Sequence, residues 1–241
     1  MERFRILRRA ARWLVPEYRL KWPHMGWWQD EQFSDYLKRF DENTGLNSDR
    51  RWMMYQLLRM TANLTGDTAE CGAYVGAGSY LVGMVNQCYQ PTRRHLVFDS
   101  FAGLSAPVAA DGEYWQTGDL QASRDTLIAN LGELAATTDI YQGWIPQVFG
   151  DAPERKYAFV HVDVDLYQPT FDSMSYFYDR LVDGGILLCD DYGLTTCPGA
   201  TEAVDGFLES RPEKCLALCS GSGFFVKGVQ IADKRMQIAL P

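Results

Sequence analysis

Short apolar runs with the length of β-strands alternate with segments of helical periodicity over most of this chain. Such alternation predicts a mainly parallel sheet that is covered by helices on both faces. The turn Ser220-Gly221-Ser222 separates the last two runs, which we expect to pair as a C-terminal antiparallel hairpin. We therefore predict an α/β fold with a mostly parallel seven-stranded sheet. The predicted strands are 69–75, 95–99, 138–141, 157–164, 185–190, 214–219 and 223–228, and the predicted helices between them are 79–89, 121–131, 170–181 and 200–209.

The start of the chain differs from the rest in charge. Residues 1–21 contain seven basic and two acidic residues, a net charge of +5, although the whole chain carries −8. Residues 1–14 show helical spacing of apolar residues flanked by arginines. Such a helix can lie on an anionic membrane surface, or it can dock on an acidic partner or on the protein's own acidic body. We predict a basic and aromatic helical extension over residues 1–44 and a single larger domain over residues 45–241.

Charge and cysteine content narrow the functional classes. The net charge of −8 argues against a nucleic-acid partner, because phosphate binding needs a basic face. No uninterrupted apolar stretch approaches the roughly 20 residues that a membrane span needs. The six cysteines include no CxxC pair, and the N-terminus lacks the apolar stretch of a secretory signal. We expect a cytoplasmic protein that contacts the inner membrane surface if residues 1–21 bind lipid, either as a monomer or as a homo-oligomer.

A glycine-containing turn joins the first predicted strand to its helix. Glycines let the backbone approach a ligand closely, and the helix that follows directs free N–H groups at it. A dinucleotide fingerprint would need Gly or Ala where Leu81 stands, and no phosphate-loop Gly-Lys-Ser/Thr follows. What remains is the looser turn that binds S-adenosylmethionine, with Glu70 as the candidate that holds its amino acid group. The cofactor candidates in this turn are Glu70, Gly72, Tyr74, Gly76 and Ser79.

Two later strand ends supply further cofactor candidates. Asp99 ends the next strand, about 20 residues after the last glycine, where a carboxylate can accept hydrogen bonds from both ribose hydroxyls. Alone it would be read as a strand-end or capping residue, but with the glycine turn it indicates ribose binding. The third strand ends at Gln142-Gly143-Trp144, a candidate adenine edge. Trp144 is the weaker candidate, because large aromatic side chains more often pack in cores.

Carboxylates collect at the ends of two further strands. Asp163 and Asp165 end the fourth strand, and Asp190 and Asp191 end the fifth. Strand ends of one sheet converge, and clustered carboxylates that lose hydration are tolerated best when a cation sits among them. Oxygen ligands without an accompanying Cys/His set favour Mg²⁺ or Mn²⁺, with Ca²⁺ as an alternative, and argue against zinc. An isolated Asp-Asp pair before Tyr192 would instead indicate a turn.

A divalent ion beside a methyl sulfonium indicates metal-assisted methyl transfer. The ion can chelate two vicinal oxygens of an acceptor, lower the pKa of one hydroxyl and hold it in line with the methyl group. Either Asp163 or Asp165 can take the proton, because the two share one strand face. His161 shares that face but lies deeper in the strand, and we interpret it as a satisfied core histidine.

These segments together resemble the TylF or macrocin O-methyltransferase family. The resemblance covers about residues 45–228 and is carried by Ala69-Glu70-Cys71-Gly72, Asp99-Ser100-Phe101-Ala102-Gly103-Leu104, Gly143-Trp144, Asp163-Val164-Asp165-Leu166-Tyr167 and Asp190-Asp191-Tyr192. It implies a Rossmann-like methyltransferase domain that uses S-adenosylmethionine and Mg²⁺ to methylate sugar hydroxyls. It also implies a role for six residues: Asp163, Asp190 and Asp191 as metal ligands, with Asp163 also the base, and Glu70, Asp99 and Ser100 as cofactor contacts. The chain departs from the family pattern after Trp144, and residues 1–24 have no counterpart in it.

The acceptor is the least determined part of the prediction. A long loop, residues 104–119, carries Tyr114 and Trp115, and such loops are often lids or binding loops. The two aromatic residues either stack on a sugar ring or anchor the loop. We predict an O-methyltransferase for a small-molecule or glycan acceptor, namely a natural-product glycoside, a surface polysaccharide or a glycolipid. The alternatives are a catechol-type O-methyltransferase and an S-adenosylmethionine-binding protein without turnover, and the carboxylate cluster argues against the second.

Overall fold

The structure, a computed structural model, divides the chain into two compact units, Met1–Asn43 and Thr44–Pro241. It describes residues 6, 9–11, 13, 14, 25–42 and 47–232. The described positions within the helix predicted over residues 1–14 are all helical, and the other positions of that segment lie outside the described residues.

The first unit contains a 3₁₀ turn, Gly26–Gln29, and helix α1, Glu31–Arg39. Asp30 caps α1 by accepting a hydrogen bond from the Phe33 N–H at 2.9 Å, which satisfies one of the donors left free at a helix start. The rings of Trp27 and Phe33 meet edge to face at 5.9 Å, and Phe33 is buried. Aromatic packing thus supports a helix that is too short to be stable by itself.

The second unit is a seven-stranded sheet with helices on both faces. Its strands are β1 Asp67–Cys71, β2 His95–Asp99, β3 Thr138–Gln142, β4 Tyr157–Val162, β5 Leu181–Cys189, β6 Leu216–Ala217 and β7 Gly223–Val226. Its helices are α2 Asn47–Met60, α3 Ala77–Tyr89, α4 Arg124–Leu131, α5 Tyr167–Tyr178 and α6 Pro198–Leu208. The strand order is β3-β2-β1-β4-β5-β7-β6; β1 to β5 are parallel, and β7 and β6 are antiparallel. The predicted fold class is confirmed.

The chain changes direction across the sheet between β1 and β4. From β1 it continues to β2 and β3 on one side, and from β4 it continues to β5 on the other. Ligands of open α/β sheets bind at this switch point, outside the carboxyl ends of the strands. Gly72 ends β1 there with a φ of +77°, and a Cβ at this position would overlap the backbone oxygen of Asp163. Glycine is therefore required where the first strand meets the segment after β4.

Two apolar layers cover the sheet. In the layer beneath α5 and α6, the Phe98 ring contacts Phe149 and Phe177 at centroid distances of 5.1 and 5.9 Å. In the layer beneath α4, Val97 packs with Leu127. Because neighbouring residues of a strand point to opposite faces, Val97 and Phe98 supply both layers from one strand.

Several predicted boundaries are wrong by a few residues. The first strand ends at Cys71 instead of residue 75, because Gly72 already turns the chain. Helix α4 begins at Arg124 instead of residue 121, because the Ser123 hydroxyl accepts the Thr126 N–H at 3.0 Å and caps the helix there. The strand predicted over 214–219 is reduced to the exposed two-residue β6, which pairs with β7 alone.

Candidate active site

The carboxyl ends of β1 and β2 form one half of the candidate site. The Asp99 carboxylate accepts hydrogen bonds from the N–H groups of Ala73, Tyr74 and Phe101 at 2.7, 3.2 and 2.7 Å. These bonds hold the glycine turn against the end of β2. Since an ionised carboxylate offers about four acceptor positions, Asp99 can still accept a ligand hydroxyl. Its contact with a ribose stays a prediction.

The turn between β1 and α3 presents backbone groups to the switch point. Gly76, at a φ of +95°, stands at the N-cap of α3 and has no side chain with which to cap this helix start. Free N–H groups at a helix N-terminus attract an anionic group such as a carboxylate. Tyr74 is 49% exposed, and its positive φ places it in the same turn. Gly72, Tyr74 and Gly76 thus surround one backbone turn at the end of β1.

Glu70 and Ser79, two of the predicted cofactor contacts, are hydrogen-bonded to one another. Both are buried; the Ser79 hydroxyl donates to one Glu70 oxygen, and His161 Nδ1 lies 2.8 Å from the other. Burial alone would raise the pKa of Glu70, but hydrogen bonds with His161 and His95 hold it well below its usual range. Both carboxylate oxygens of Glu70 therefore have protein partners, and the contacts of Glu70 and Ser79 with the cofactor stay predictions.

The remaining predicted cofactor residues lie at the ends of β2 and β3. The Ser100 hydroxyl makes two 3.0 Å hydrogen bonds to backbone groups of the following three residues and so forms a local turn. The Gly143 N–H donates to the Asp99 carbonyl at 2.9 Å, which joins the two strand ends. Trp144 is 45% exposed and Gln142 is also exposed. Trp144 is therefore a surface aromatic residue and not part of the core.

Four carboxylates converge at the ends of β4 and β5. Asp163 has the most accessible side chain, at 26% exposed, whereas the Asp190 and Asp191 side chains are 2% and 3% exposed. The Asp165 N–H donates to Asp191 Oδ2 at 2.9 Å and ties the two strand ends together. Burial and then the neighbouring carboxylates raise the pKa of Asp165 and of Asp191. Negative charge is thus concentrated beside the glycine turn.

Two arginines of α2, which the sequence analysis did not identify, lie among these carboxylates. Arg50 forms an ion pair with Asp190 Oδ2, donates to the Asp190 carbonyl at 3.1 Å and lies 3.8 Å from Asp191. Arg51 lies 3.9 Å from Asp163 and 4.0 Å from Asp190. With all four carboxylates ionised, the two guanidinium groups leave a net charge of −2 in this cluster. No motif marks either arginine, because their partners are distant in the chain.

The donor atoms in and around the cluster fall into two groups. Within each, the ligand atoms lie within 4.8 Å of one another: His161, Asp163 and Asp190 form the first group, and Asp165, Asp191 and Cys197 form the second. The predicted metal set therefore divides between the groups, with Asp191 in the second. Burial raises the pKa of the Cys197 thiol to about 12, so this sulfur is protonated at neutral pH and a poor metal ligand. Oxygen donors dominate, which fits a hard divalent cation.

The loop between β2 and α4 is anchored beside the carboxylates and does not form a free lid. The buried Asp111 carboxylate accepts the Tyr167 N–H at 2.6 Å, at the start of α5. The Trp115 indole N–H lies 3.3 Å from Cys197 Sγ and donates to it. Tyr114 meets the Trp115 ring edge to face at 4.8 Å and is 62% exposed. Trp115 therefore anchors the loop, and Tyr114 is presented to solvent.

Comparison with known families agrees with this geometry. The family described as macrocin-O-methyltransferase (TylF) matches residues 54–213, about two thirds of the chain. The chain belongs to the TylF family. The predicted resemblance is confirmed, and so is the predicted class, an S-adenosylmethionine-dependent O-methyltransferase. The TylF match includes the glycine turn and the four carboxylates, but it begins after Arg50 and Arg51.

Relatives and solved structures are consistent with membership of the TylF family. The chain is 28% identical over 187 residues to the 8-demethyl-8-(2,3-dimethoxy-alpha-L-rhamnosyl)-tetracenomycin-C 4'-O-methyltransferase of Streptomyces olivaceus, covering 72% of this chain and 70% of that protein. It is 28% identical over 160 residues to the demethyldecarbamoylnovobiocin O-methyltransferase of Streptomyces niveus, covering 60% of this chain and 59%, less than two thirds, of that protein. The structure of the calicheamicin methyltransferase CalS11 superimposes with a TM-score of 0.65 at 18% identity, covering 89% of this chain and 97% of that one. This structural likeness shows a shared fold.

Proposed function

We propose that this protein transfers a methyl group from S-adenosylmethionine to a hydroxyl of a sugar or glycoside, with the help of a divalent cation. The observation that carries the proposal is the convergence of four carboxylates beside a glycine turn at the switch point of the sheet. The names of the two relatives support the acceptor class. One is named for methylation of a rhamnosyl tetracenomycin, and the other for methylation of demethyldecarbamoylnovobiocin.

The charge of the carboxylate cluster supports a divalent cation, Mg²⁺ or Mn²⁺. With all four carboxylates ionised, a net charge of −2 remains after Arg50 and Arg51 are counted, and the donors are mainly hard oxygens. We assign the cation to Asp163, Asp190 and Asp191, of which Asp163 is the most accessible from solvent. When bound, such a cation supplies a Lewis acid that lowers the pKa of a coordinated acceptor hydroxyl.

Asp163 is the residue best placed to take the proton from the acceptor. Its side chain is 26% exposed, whereas Asp165 is 7% exposed and its backbone and carboxylate contact Asp191 and Cys197. A general base must come within hydrogen-bond distance of the hydroxyl that it deprotonates, which favours the accessible carboxylate. Asp99 and the turn around Gly76 would hold the cofactor, which would supply the methyl group for transfer.

The anchored loop supplies a surface for the acceptor. Trp115 holds the loop to Cys197, and the exposed Tyr114 ring stands at its edge. An aromatic ring presents a flat apolar surface to the apolar face of a sugar at little entropic cost, because the loop is already fixed. A catechol could stack on the same ring, so the acceptor class needs a direct comparison of substrates.

Methylation assays with the full-length protein test this function. The protein is incubated with S-adenosylmethionine and either a rhamnosyl glycoside or a catechol, in Mg²⁺ or in EDTA. Mass spectrometry then identifies the methylated products. We expect methylation of the glycoside when Mg²⁺ is present and none in EDTA. Asp191→Ala should abolish turnover and change the affinity for S-adenosylhomocysteine by less than about tenfold. Asp125→Ala, at an exposed aspartate of α4, is the matched control. Turnover by the Asp191 variant in EDTA would contradict the metal role, and methylation of the catechol alone would contradict the acceptor class.

We also propose that the protein is cytoplasmic and contacts an anionic membrane surface through residues 1–21. Ile6, Trp13 and Leu14 are 70%, 83% and 68% exposed, an apolar surface that a lipid interface would cover. No helix in the described part of the chain is long and apolar enough to cross a bilayer. We expect flotation with anionic liposomes that is lost on deletion of residues 1–21; flotation after the deletion would contradict the proposal. Assembly into a homo-oligomer stays a prediction, which light scattering of the purified protein can test.

A further inference from the structure

His161 lies directly beneath the carboxylate cluster with one ring nitrogen unused. The residue is in β4 and is 0% exposed. Its Nε2 atom is buried and has no hydrogen-bond partner among the described residues. A buried polar atom without a partner is costly, so such an atom at a functional site calls for a physical explanation. The interpretation of His161 as a satisfied core histidine therefore holds for one nitrogen and not for the other.

Glu70 determines which nitrogen of His161 carries the proton. Glu70 Oε1 lies 2.8 Å from His161 Nδ1, and Ser79 donates to the other Glu70 oxygen. An ionised carboxylate only accepts hydrogen bonds, so Nδ1 carries the proton and donates it. In the neutral imidazole, Nε2 then has a free lone pair. A carboxylate that holds the far side of a histidine in this way is a common second partner of histidines that bind metals.

The free nitrogen of His161 points at the carboxylates. Nε2 lies 3.4 Å from Asp190 Oδ1, and the ligand atoms of His161, Asp163 and Asp190 are all within 4.8 Å of one another. Adjacent ligands of an octahedral ion with bonds of about 2.1 Å are about 3.0 Å apart, and the 3.4 Å between Nε2 and Asp190 Oδ1 is near that value. Asp163 directly follows β4, two residues after His161, and its backbone N–H still bonds to the end of β1 through the Cys71 carbonyl at 2.9 Å.

We propose that His161 Nε2 is a ligand of the same divalent cation as Asp163 and Asp190, with Glu70 holding the imidazole in the binding orientation. This inference rests on the proposed metal-dependent function and deepens it. An imidazole among carboxylates favours Mn²⁺ over Mg²⁺, because Mg²⁺ prefers oxygen ligands and keeps several waters. The chain thus uses a residue of the strand interior to select its metal.

Pulsed electron paramagnetic resonance of bound Mn²⁺ tests the proposal without relying on activity. A nitrogen bonded to Mn²⁺ modulates the spin echo at ¹⁴N frequencies, and labelling with ¹⁵N-histidine changes those frequencies. The chain has three histidines, His24, His95 and His161. We expect the full-length protein to bind one Mn²⁺ with a histidine-nitrogen signal. Bound Mn²⁺ without such a signal would overturn the assignment, and this measurement needs no variant that could fail to fold.

Two matched variants identify the histidine. His95 is also buried and lies 3.8 Å from Glu70, on the side away from the carboxylates. We expect His161→Gln to lose the nitrogen signal and to weaken Mn²⁺ binding at least about tenfold, while His95→Gln keeps the signal. Loss of the signal in His95→Gln with its retention in His161→Gln would overturn the proposal. Failure of the wild-type protein to bind Mn²⁺ or Mg²⁺ at all would instead refute the metal-dependent function itself.

Discussion

Replacement of Arg50 by glutamine tests how the carboxylate cluster is neutralised. The Arg50 side chain is 15% exposed and that of Asp190 is 2% exposed, so their ion pair is largely removed from water. Removal of one partner of a buried pair costs about 3–5 kcal/mol, because the other charge stays buried without compensation. Arg51 remains 4.0 Å from the same carboxylate. We therefore expect Arg50→Gln to lower the free energy of unfolding in EDTA by about 3 kcal/mol, the low end of that range.

A divalent cation should offset most of this loss. Arg50 and the proposed cation compensate the same negative charge on Asp190, so the cation should bind more tightly when Arg50 is gone. A Kd that is lower by about thirtyfold corresponds to about 2 kcal/mol of extra stabilisation at saturating cation. The difference in unfolding free energy between variant and wild type should then narrow from about 3 kcal/mol to about 1 kcal/mol.

Urea unfolding followed by tryptophan fluorescence measures both quantities, because the chain has seven tryptophans. Wild type, Arg50→Gln and the control Arg51→Gln are compared in EDTA and in saturating Mg²⁺ or Mn²⁺. The contacts of Arg51 with Asp163 and Asp190 are longer, at 3.9 and 4.0 Å, so its replacement should cost less than that of Arg50. Equal stability of Arg50→Gln and wild type in EDTA would refute the ion-pair argument. If the difference in unfolding free energy between Arg50→Gln and wild type is the same with and without the cation, Arg50 and the cation do not compensate the same negative charge.

Three further measurements address the turn, the carboxylates and the loop. Gly72→Ala should destabilise the protein by about 3 kcal/mol or more, because the φ of Gly72 is +77° and a Cβ there would overlap backbone atoms. The control Gly193→Ala, at a φ of +82° with no atom within 4 Å of the added Cβ, should cost about 1 kcal/mol. Equal losses of stability in thermal or urea unfolding would contradict this prediction. Cation binding at pH 7 should release protons and tighten as the pH rises, because burial and neighbouring carboxylates raise the pKa of Asp165 and Asp191 and a cation displaces the bound protons. Calorimetry in buffers of different ionisation enthalpy measures this proton release. Binding without proton release would show that both carboxyl groups are already ionised. Tyr114→Ala should raise the KM for a glycoside acceptor about fivefold or more and leave the affinity for S-adenosylhomocysteine unchanged, since the exposed ring contributes stacking of about 1 kcal/mol; an unchanged KM would remove Tyr114 from the acceptor site.

The parts of the fold that follow from local pattern were predictable. Alternating apolar strands and amphipathic helices were sufficient to predict the parallel sheet and its antiparallel end. Strand burial and helix periodicity depend on residues that are close together in the sequence. Strand ends were less predictable. Gly72 ends β1 and Ser123 begins α4 through backbone and capping contacts that a hydrophobic pattern does not show.

The candidate site was predictable where it depends on strand ends and not where it depends on packing. The convergence of Asp163 and Asp190 follows from parallel strands in one sheet, whatever the intervening sequence. The inward position of Glu70 does not, because an acidic residue at a strand end can face a cleft or a buried partner, and the choice depends on His161 across the strand pair. The contact of Glu70 with the cofactor stays a prediction.

Sequence pattern alone was sufficient to place carboxylates and a glycine turn at one edge of a sheet, because both signals are local and the sheet geometry is general. Which charges balance them could be read only from the folded chain. Arg50 reaches Asp190 across 140 residues of sequence, and His161 faces Asp190 from a neighbouring strand. Ion pairs and metal sites depend on distances of a few ångströms between side chains. Those distances are set by packing between helices and strands, and the sequence of one element does not indicate which other element packs against it.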